Sequence, residues 1–323
     1  MNNGLERFTF FLGQVKELLD RSKTESNPAW WLFKNNARVP FFMLEALAKF
    51  YGTCHNIKKF EKLKVHFKMV EDGLGQIDYY NSLIINKQID QQLTEQGRKY
   101  LKDKLDQQIA LLNDILIEKE WLSADDKRIK KINKRLKKVV WLGPKEELKA
   151  LSGFYKKSIT NINEFVIETQ FQFNDIETQV HELRRRLRWL SIYPQAFLGL
   201  IQFDPIVKNE GKLQKYLTQE IINSPFNVFP SKGNNKDLFL IKKNYFLALS
   251  WMIDQLGKLK DEGLLLTGLS EAMVQTIFCT ESESLEKAQN LLGEQQKTMK
   301  EILNQAESIS KKYFEEKNLE CLF

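Results

Sequence analysis

Residues that turn a chain are scarce in this sequence. It has 15 glycines and 7 prolines, 22 of 323 residues, about 7% where an average domain carries near 12%. Such a chain cannot supply the many tight turns of a sandwich, barrel or propeller. Cysteine is rarer still. Cys54, Cys279 and Cys321 are too scattered for a disulfide framework and odd in number, so a reducing compartment is expected. No CxxC pair or His/Cys cluster offers a zinc site. Three histidines, His55, His66 and His181, exclude a His-rich metal centre, and no metal or cofactor is expected. Long apolar runs are missing too. The longest uncharged one, Tyr245 to Ile253, falls well short of the roughly 20 residues that span a bilayer. The first residues carry charges inside their apolar stretch and no small-residue cleavage site, unlike a signal peptide. A soluble, cytoplasmic protein without a membrane span is the expectation.

What the chain does have is apolar and charged material in helical order. Hydrophobic residues make up 42%, charged residues 28%, and there are 22 Phe, 9 Tyr and 6 Trp, enough for a sizeable core and too many for a disordered chain. The net charge of +7 is unevenly spread: residues 1–150 carry 28 Lys/Arg against 20 Asp/Glu, residues 151–323 carry 21 against 22. Within the second half, residues 251–323 hold 8 basic against 13 acidic residues, so an acidic end offsets basic material before it. Such asymmetry points to an anionic partner.

Helical periodicity covers almost every segment. Helices are expected over 5–22, from Pro28 to about Phe50 with a kink or restart at Pro40, over 56–80, and over a long stretch at 88–122. A basic helix follows at 127–138. Gly143-Pro144 is the clearest boundary, so the expected division is 1–143 and 144–323. The second half begins with helices at 146–172 and about 174–201. A loop-like region spans 204–237, and helices at about 238–260, 270–278 and 282–317 close the chain. The fold class expected is all-α, two antiparallel bundles of long helices.

Several chemistries lack their residues. There is no GxxxxGK[ST] loop, no GxGxxG, no GxSxG and no HExxH. Glu177 precedes His181 by four positions, whereas di-iron bundles need three. Cys54 and His55 are adjacent in sequence and do not face each other on a helix. No enzymatic activity is expected.

Two basic features remain. In residues 127–138 eight of twelve positions are Lys or Arg, with Ile129, Ile132 and Leu136 as a narrow apolar stripe. This reads as a surface helix with solvated lysines, or as a binding face for nucleic acid or another polyanion through Lys130, Lys134 and Lys138. The second feature is VHELRRRLRWL, residues 180–190. At about 100° per residue, His181, Arg184, Arg185 and Arg188 share one third of the circumference, opposite Leu183, Leu187 and Leu190. Guanidinium forks match phosphate oxygens, so the stripe suits a phosphate polymer. Glu177, one turn before His181, and carboxylates on neighbouring helices offer the alternative of an internal ion-pair network.

Residues 180–193 resemble the signature helix of the CHAD family, the conserved-histidine α-helical domain, in His181, Arg184, Arg188 and Leu190. That family has two similar helical halves, each with such a helix followed by one containing a Leu-Gly pair. FKMVEDGLGQIDYY supplies Lys68, Leu74 and Gly75, and LEKAQNLLGEQ supplies Leu285, Gln289, Leu292, Gly293 and Glu294. In the first half Arg38 aligns with the family arginine, which puts Asn35 in the histidine position and Phe42 and Met43 where basic residues belong. The resemblance, to a divergent member, implies two pseudo-symmetric bundles around a basic channel that binds inorganic polyphosphate without turnover, with an insertion at about 204–265. It makes His181, Arg184, Arg185, Arg188, Lys68 and Arg38 the polyanion-binding residues. A helical scaffold that keeps the fold and binds a protein partner is the alternative, and nucleic-acid binding through 127–138 a further one.

Overall fold

The computed structural model describes residues 3–206, 211–276, 280–293 and 296–323; Cys279 and Glu294 lie outside the described residues. The chain is all-α, with many long helices packed into two helical regions. In chain order these are α1 (Gly4–Ser22), α2 (Pro28–Lys34), α3 (Arg38–Cys54), α4 (Ile57–Ile85), α5 (Lys87–Gln92), α6 (Glu95–Glu118), α7 (Lys127–Leu136) and α8 (Pro144–Glu168). A π-helical turn at Ile176–His181 leads into α9 (Glu182–Ala196). Then come β1 (Ile201–Phe203), α10 (Gln219–Ile222), β2 (Phe239–Ile241), α11 (Lys243–Thr276), α12 (Glu281–Leu292) and α13 (Met299–Glu315).

Side-chain caps explain most of the boundaries. The Asn27 carboxamide accepts from the Trp30 amide at 3.2 Å, and Pro28 occupies the first helical position, where its missing donor costs nothing. Asn56, Thr94, Thr280 and Thr298 cap α4, α6, α12 and α13 in the same way. The interruption expected at Pro40 falls earlier, at Asn35–Ala37, with Asn36 at φ 55°. Pro40 itself sits in the first turn of α3, where proline is tolerated. The pattern over 88–122 is two helices, because Thr94 starts a new one. The final pattern also divides, with Gly293 at φ 87° ending α12 and a Thr298–Glu301 capping box starting α13. Conversely, the separate helices expected at 238–260 and 270–278 run together in one 34-residue helix over Lys243–Thr276, and residues 277–278 lie outside the described residues. Periodicity did not reveal the short parallel pairing of β1 with β2, Ile201 opposite Phe239.

The contacts divide the chain into two compact units. The first comprises Gly4–Trp141 with Leu265–Gln296, the second Leu142–Leu264 with Lys297–Phe323. In the first unit α4 packs along α3 and α6, and Phe8, Tyr51, Phe60 and Trp141 form an aromatic cluster with ring centroids 5.0–6.1 Å apart. Gly4 is required there, since a Cβ would lie 2.2 Å from the Trp141 ring. In the second unit the leucine face of α9 (Leu183, Leu187, Leu190) is fully buried, and the Tyr155 hydroxyl donates to the Leu190 carbonyl at 3.0 Å. Among the described residues no helix is long and apolar enough to cross a membrane.

Candidate functional site

The arginine stripe of α9 sits in the second unit. His181 is the last residue of the π-helical turn, so the even helical spacing assumed from sequence begins after it. Its Nδ1 lies 2.9 Å from the Glu177 carboxylate, and this hydrogen bond holds Glu177 below its ordinary pKa. Arg185 is exposed and donates to Glu182 at 2.7 Å, as does Arg186. Burial raises the Glu182 pKa, but these two hydrogen bonds outweigh it and the carboxyl titrates below its usual range. Arg184 is half-buried over α11: its Nε donates to the Ile253 carbonyl at 3.2 Å. A Cβ on Gly257 would lie 2.9 Å from that Nε, so the guanidinium occupies the room glycine leaves. Arg188 is half-buried one turn further along α9. Lys260, one turn beyond Gly257, is close enough to act electrostatically on Glu177.

The first unit contains a matching arrangement. Arg38 opens α3 and lies over Gly75 of α4, where a Cβ would come within 2.7 Å of its Nη2. Its Nε donates to Glu71 at 2.7 Å, and Nη1 lies 3.4 Å from Asp78. The two arrangements correspond position by position. Ala37, Phe41 and Leu44 are buried beside Arg38 as Leu183, Leu187 and Leu190 are beside Arg184. Asn35 bonds back four residues to the Trp31 carbonyl at 2.8 Å, as His181 bonds back four residues to Glu177. Glycine lies under each arginine, and each arginine Nε meets the residue one turn before that glycine, Glu71 or Ile253.

The charges around the two arginines differ. Arg38 faces Glu71 and Asp78, whereas the corresponding positions on α11 hold Ile253 and Lys260. Arg188 corresponds to Phe42, whose ring lies 5.2 Å from the Arg38 guanidinium. Lys68 is bonded to Asp72. Burial pushes Glu71 above the usual carboxylate range against the pull of Arg38. Neighbouring Glu45 is raised to about 7, first by burial and then by Glu71. Glu45 and Glu71 were not among the residues singled out from sequence. Their visible signal is an acidic residue on the apolar face of a helix, Glu45 between Leu44 and Ala46 and Glu71 after Val70.

Other expected residues lie elsewhere. Lys130, Lys134 and Lys138 are exposed on and just beyond α7, and none of them forms an ion pair among the described residues. Ile129, Ile132 and Leu136 are buried, as the stripe predicts. Asp126 precedes α7 at φ 54°. Hydrogen bonds from Lys16 and then Lys23 lower its pKa to about 2. Gly293 ends α12 at a positive φ and nothing lies within 4 Å of where its Cβ would be. The Leu-Gly pair with an arginine above it in the second unit is Leu256-Gly257, which periodicity and motif spacing missed. A cleft of about 350 Å³ in the first unit is lined by Gln92, Leu93, Thr94, Met273, Thr276, Lys287, Asn290 and Leu291, and none of the expected site residues borders it. No group of His, Cys, Asp and Glu able to hold a metal ion is present among the described residues. No protein-family model, curated protein or solved structure matches the chain.

Proposed function

We propose that the protein binds a phosphate polymer, such as inorganic polyphosphate, without turning it over, through Arg184 and Arg188 on α9 in a cytoplasmic setting. One observation carries the reading. Arg184 and Arg188 stand on one face of α9 opposite its buried leucines, and Arg184 is seated over Gly257 with its Nε on the Ile253 carbonyl. Guanidinium forks match phosphate oxygens, and repulsion between like charges one turn apart on α9 is relieved when an anion binds. Arg185 contributes charge at the rim, tied to Glu182. His181 adds a donor when protonated and positions Glu177 when neutral. The likeness of residues 180–193 to the CHAD signature helix leads to the same ligand.

The test is a titration of the full chain with polyphosphate at low and moderate salt. Binding that weakens with salt is expected, and Arg184→Ala with Arg188→Ala should lower the affinity at least tenfold, since charge-assisted hydrogen bonds contribute about 1.5–3 kcal/mol each. An unchanged affinity in the double variant refutes the assignment. A second reading, a helical scaffold that binds a protein partner, is favoured by the buried Glu71 carboxylate on Arg38, because a cation neutralised from within serves the fold. It predicts no polyphosphate binding in the wild type. An RNA arm in the same titration tests the exposed α7 lysines: Lys130→Glu, Lys134→Glu and Lys138→Glu should leave polyphosphate affinity within a few-fold, and a loss as large as that of the arginine variant would move the site to α7.

A further inference from the structure

A strongly cationic surface is built from two segments far apart in sequence, both within the first unit. Residues 56–66 and 127–140 together carry 12 Lys/Arg against one acid, Glu61, an excess larger than the +7 of the whole chain. Folding sets them side by side. Arg128 Nη1 donates to His66 Nε2 at 3.2 Å, and Lys59 Nζ donates to the Arg135 carbonyl at 3.4 Å. The two contacts are seven residues apart on each helix, in opposite order, so α7 runs antiparallel to the first turns of α4. The field is positive even inside this seam: burial first, then Arg128, Arg135 and Lys119, lower the His66 pKa to about 4.

The outward side of the seam is left to lysine. Lys127, Lys130, Lys134 and Lys138 stand opposite the buried Ile129, Ile132 and Leu136 of α7. Lys58, Lys62, Lys130, Lys134, Lys137 and Lys138 form no ion pair among the described residues. Nearby acids are already bonded, Glu61 to Lys64, Glu120 to Lys131, and Asp126 to Lys16 and Lys23. Two aliphatic side chains protrude at one edge, Val140 at 90% exposure and Ile57 at 62%. Trp141, next to Val140, packs its ring on His55 and Phe60, which bracket Ile57, with centroids 5.4 and 6.1 Å apart. The end of the α7 segment and the start of α4 are thereby fixed together.

Aliphatic groups set in a field of lysines match a surface that offers acidic headgroups over an acyl boundary. Nucleic acid fits less well. Ten of the twelve cations are lysines, point charges rather than guanidinium forks. The rings at this edge, Phe60 and Trp141, pack in the aromatic cluster instead of offering a face for base stacking. We infer that this face of α7 and α4 docks the protein on an anionic lipid bilayer, with the lysines on the headgroups and Ile57 and Val140 at the acyl boundary. The inference is independent of the reading of Arg184 and Arg188, which belong to the second unit.

The experiment is sedimentation of the full chain with vesicles of phosphatidylcholine alone and of phosphatidylcholine mixed with phosphatidylserine. Binding to the acidic vesicles only, weakening with salt, is expected. Loss of one lysine from an acidic surface costs about fivefold in affinity, so Lys58→Gln/Lys134→Gln/Lys138→Gln should bind about a hundredfold more weakly. Ile57→Ser/Val140→Ser keeps every charge, changes only exposed side chains, and should lose roughly fivefold. Circular dichroism checks that both variants are folded. Absence of binding to the acidic vesicles overturns the proposal, and so does wild-type affinity in either folded variant. A loss confined to Arg184→Ala/Arg188→Ala overturns it by moving the lipid contact to α9. In a parallel arm with single-stranded RNA, binding that needs the three lysines while vesicle binding is absent would give the face to nucleic acid instead.

Discussion

Replacing Glu45 with glutamine should change how the protein's stability responds to pH. Glu45 lies on α3 at 5% exposure, and its carboxyl titrates at about 7 where an ordinary glutamate has 4.5, chiefly because burial disfavours the charge and then because Glu71 repels it. Between those two values the folded chain holds a proton that the unfolded chain has released, so stability falls as pH rises through the window. The difference is about 2.5 pH units, which at 1.36 kcal/mol per unit amounts to about 3 kcal/mol lost once the pH exceeds 7. Glutamine has no charge to bury. Glu45→Gln should therefore match the wild type near pH 4 and exceed its stability by up to about 3 kcal/mol at pH 8, an upper bound because Glu71 titrates in concert. Urea unfolding followed by tryptophan fluorescence at a series of pH values measures the gap by linear extrapolation. A gap that stays constant from pH 4 to pH 8 would falsify the assignment of a buried proton to Glu45.

Other substitutions separate binding from folding. Gly257→Ala places a methyl 2.9 Å from the Arg184 Nε; it should weaken polyphosphate binding several-fold while the helix gains up to about 1 kcal/mol of propensity. Unaltered binding would show that the pose of Arg184 does not matter. Gly75→Ala crowds Arg38 at 2.7 Å and disturbs its bond to buried Glu71, so a net loss of about 1–2 kcal/mol is expected despite the better helix former. A stabilised Gly75→Ala protein would contradict the tight fit. Thr298→Ala removes the α13 capping box and should cost about 1 kcal/mol in urea unfolding. An unchanged midpoint would mean that water replaces the cap.

Much of the helical layout is legible in the sequence because its causes are local. The faces of α1, α6 and α7 follow from apolar spacing, and the starts of α2 and α8 follow from Pro28 and Pro144. Errors arise where two local signals compete or where distant packing decides. Pro40 suggests a break, yet the chain breaks at Asn36, because proline fits a first helical turn. Residues 243–276 form one helix although turn residues suggest two, since Gly257, Gly263 and Gly268 lie where Arg184, Ile176 and Leu83 approach closely. The π-helical turn at 176–181 carries no spacing signal at all. The site is legible in kind rather than in detail. The basic stripe of α9 is visible from residue types and spacing, whereas the acids that meet Arg38 and the glycine that holds Arg184 lie far away in sequence.

By itself the sequence determined an all-α chain with long helices, a cationic α9 face opposite a leucine face, and a lysine-rich α7 with a narrow apolar stripe. Those properties depend on residues within a turn or two of one another, where helical geometry dictates which side chains share a face. Tertiary structure alone decided what Arg38 and Arg184 meet on the helix packed against them. Arg38 and Arg184 look alike in their own helices, and what separates them is the partner helix, Glu71 and Asp78 on α4 against Ile253 and Lys260 on α11. Whether a guanidinium Nε meets a carboxylate or a backbone carbonyl depends on groups within a few ångströms, and folding sets those neighbours.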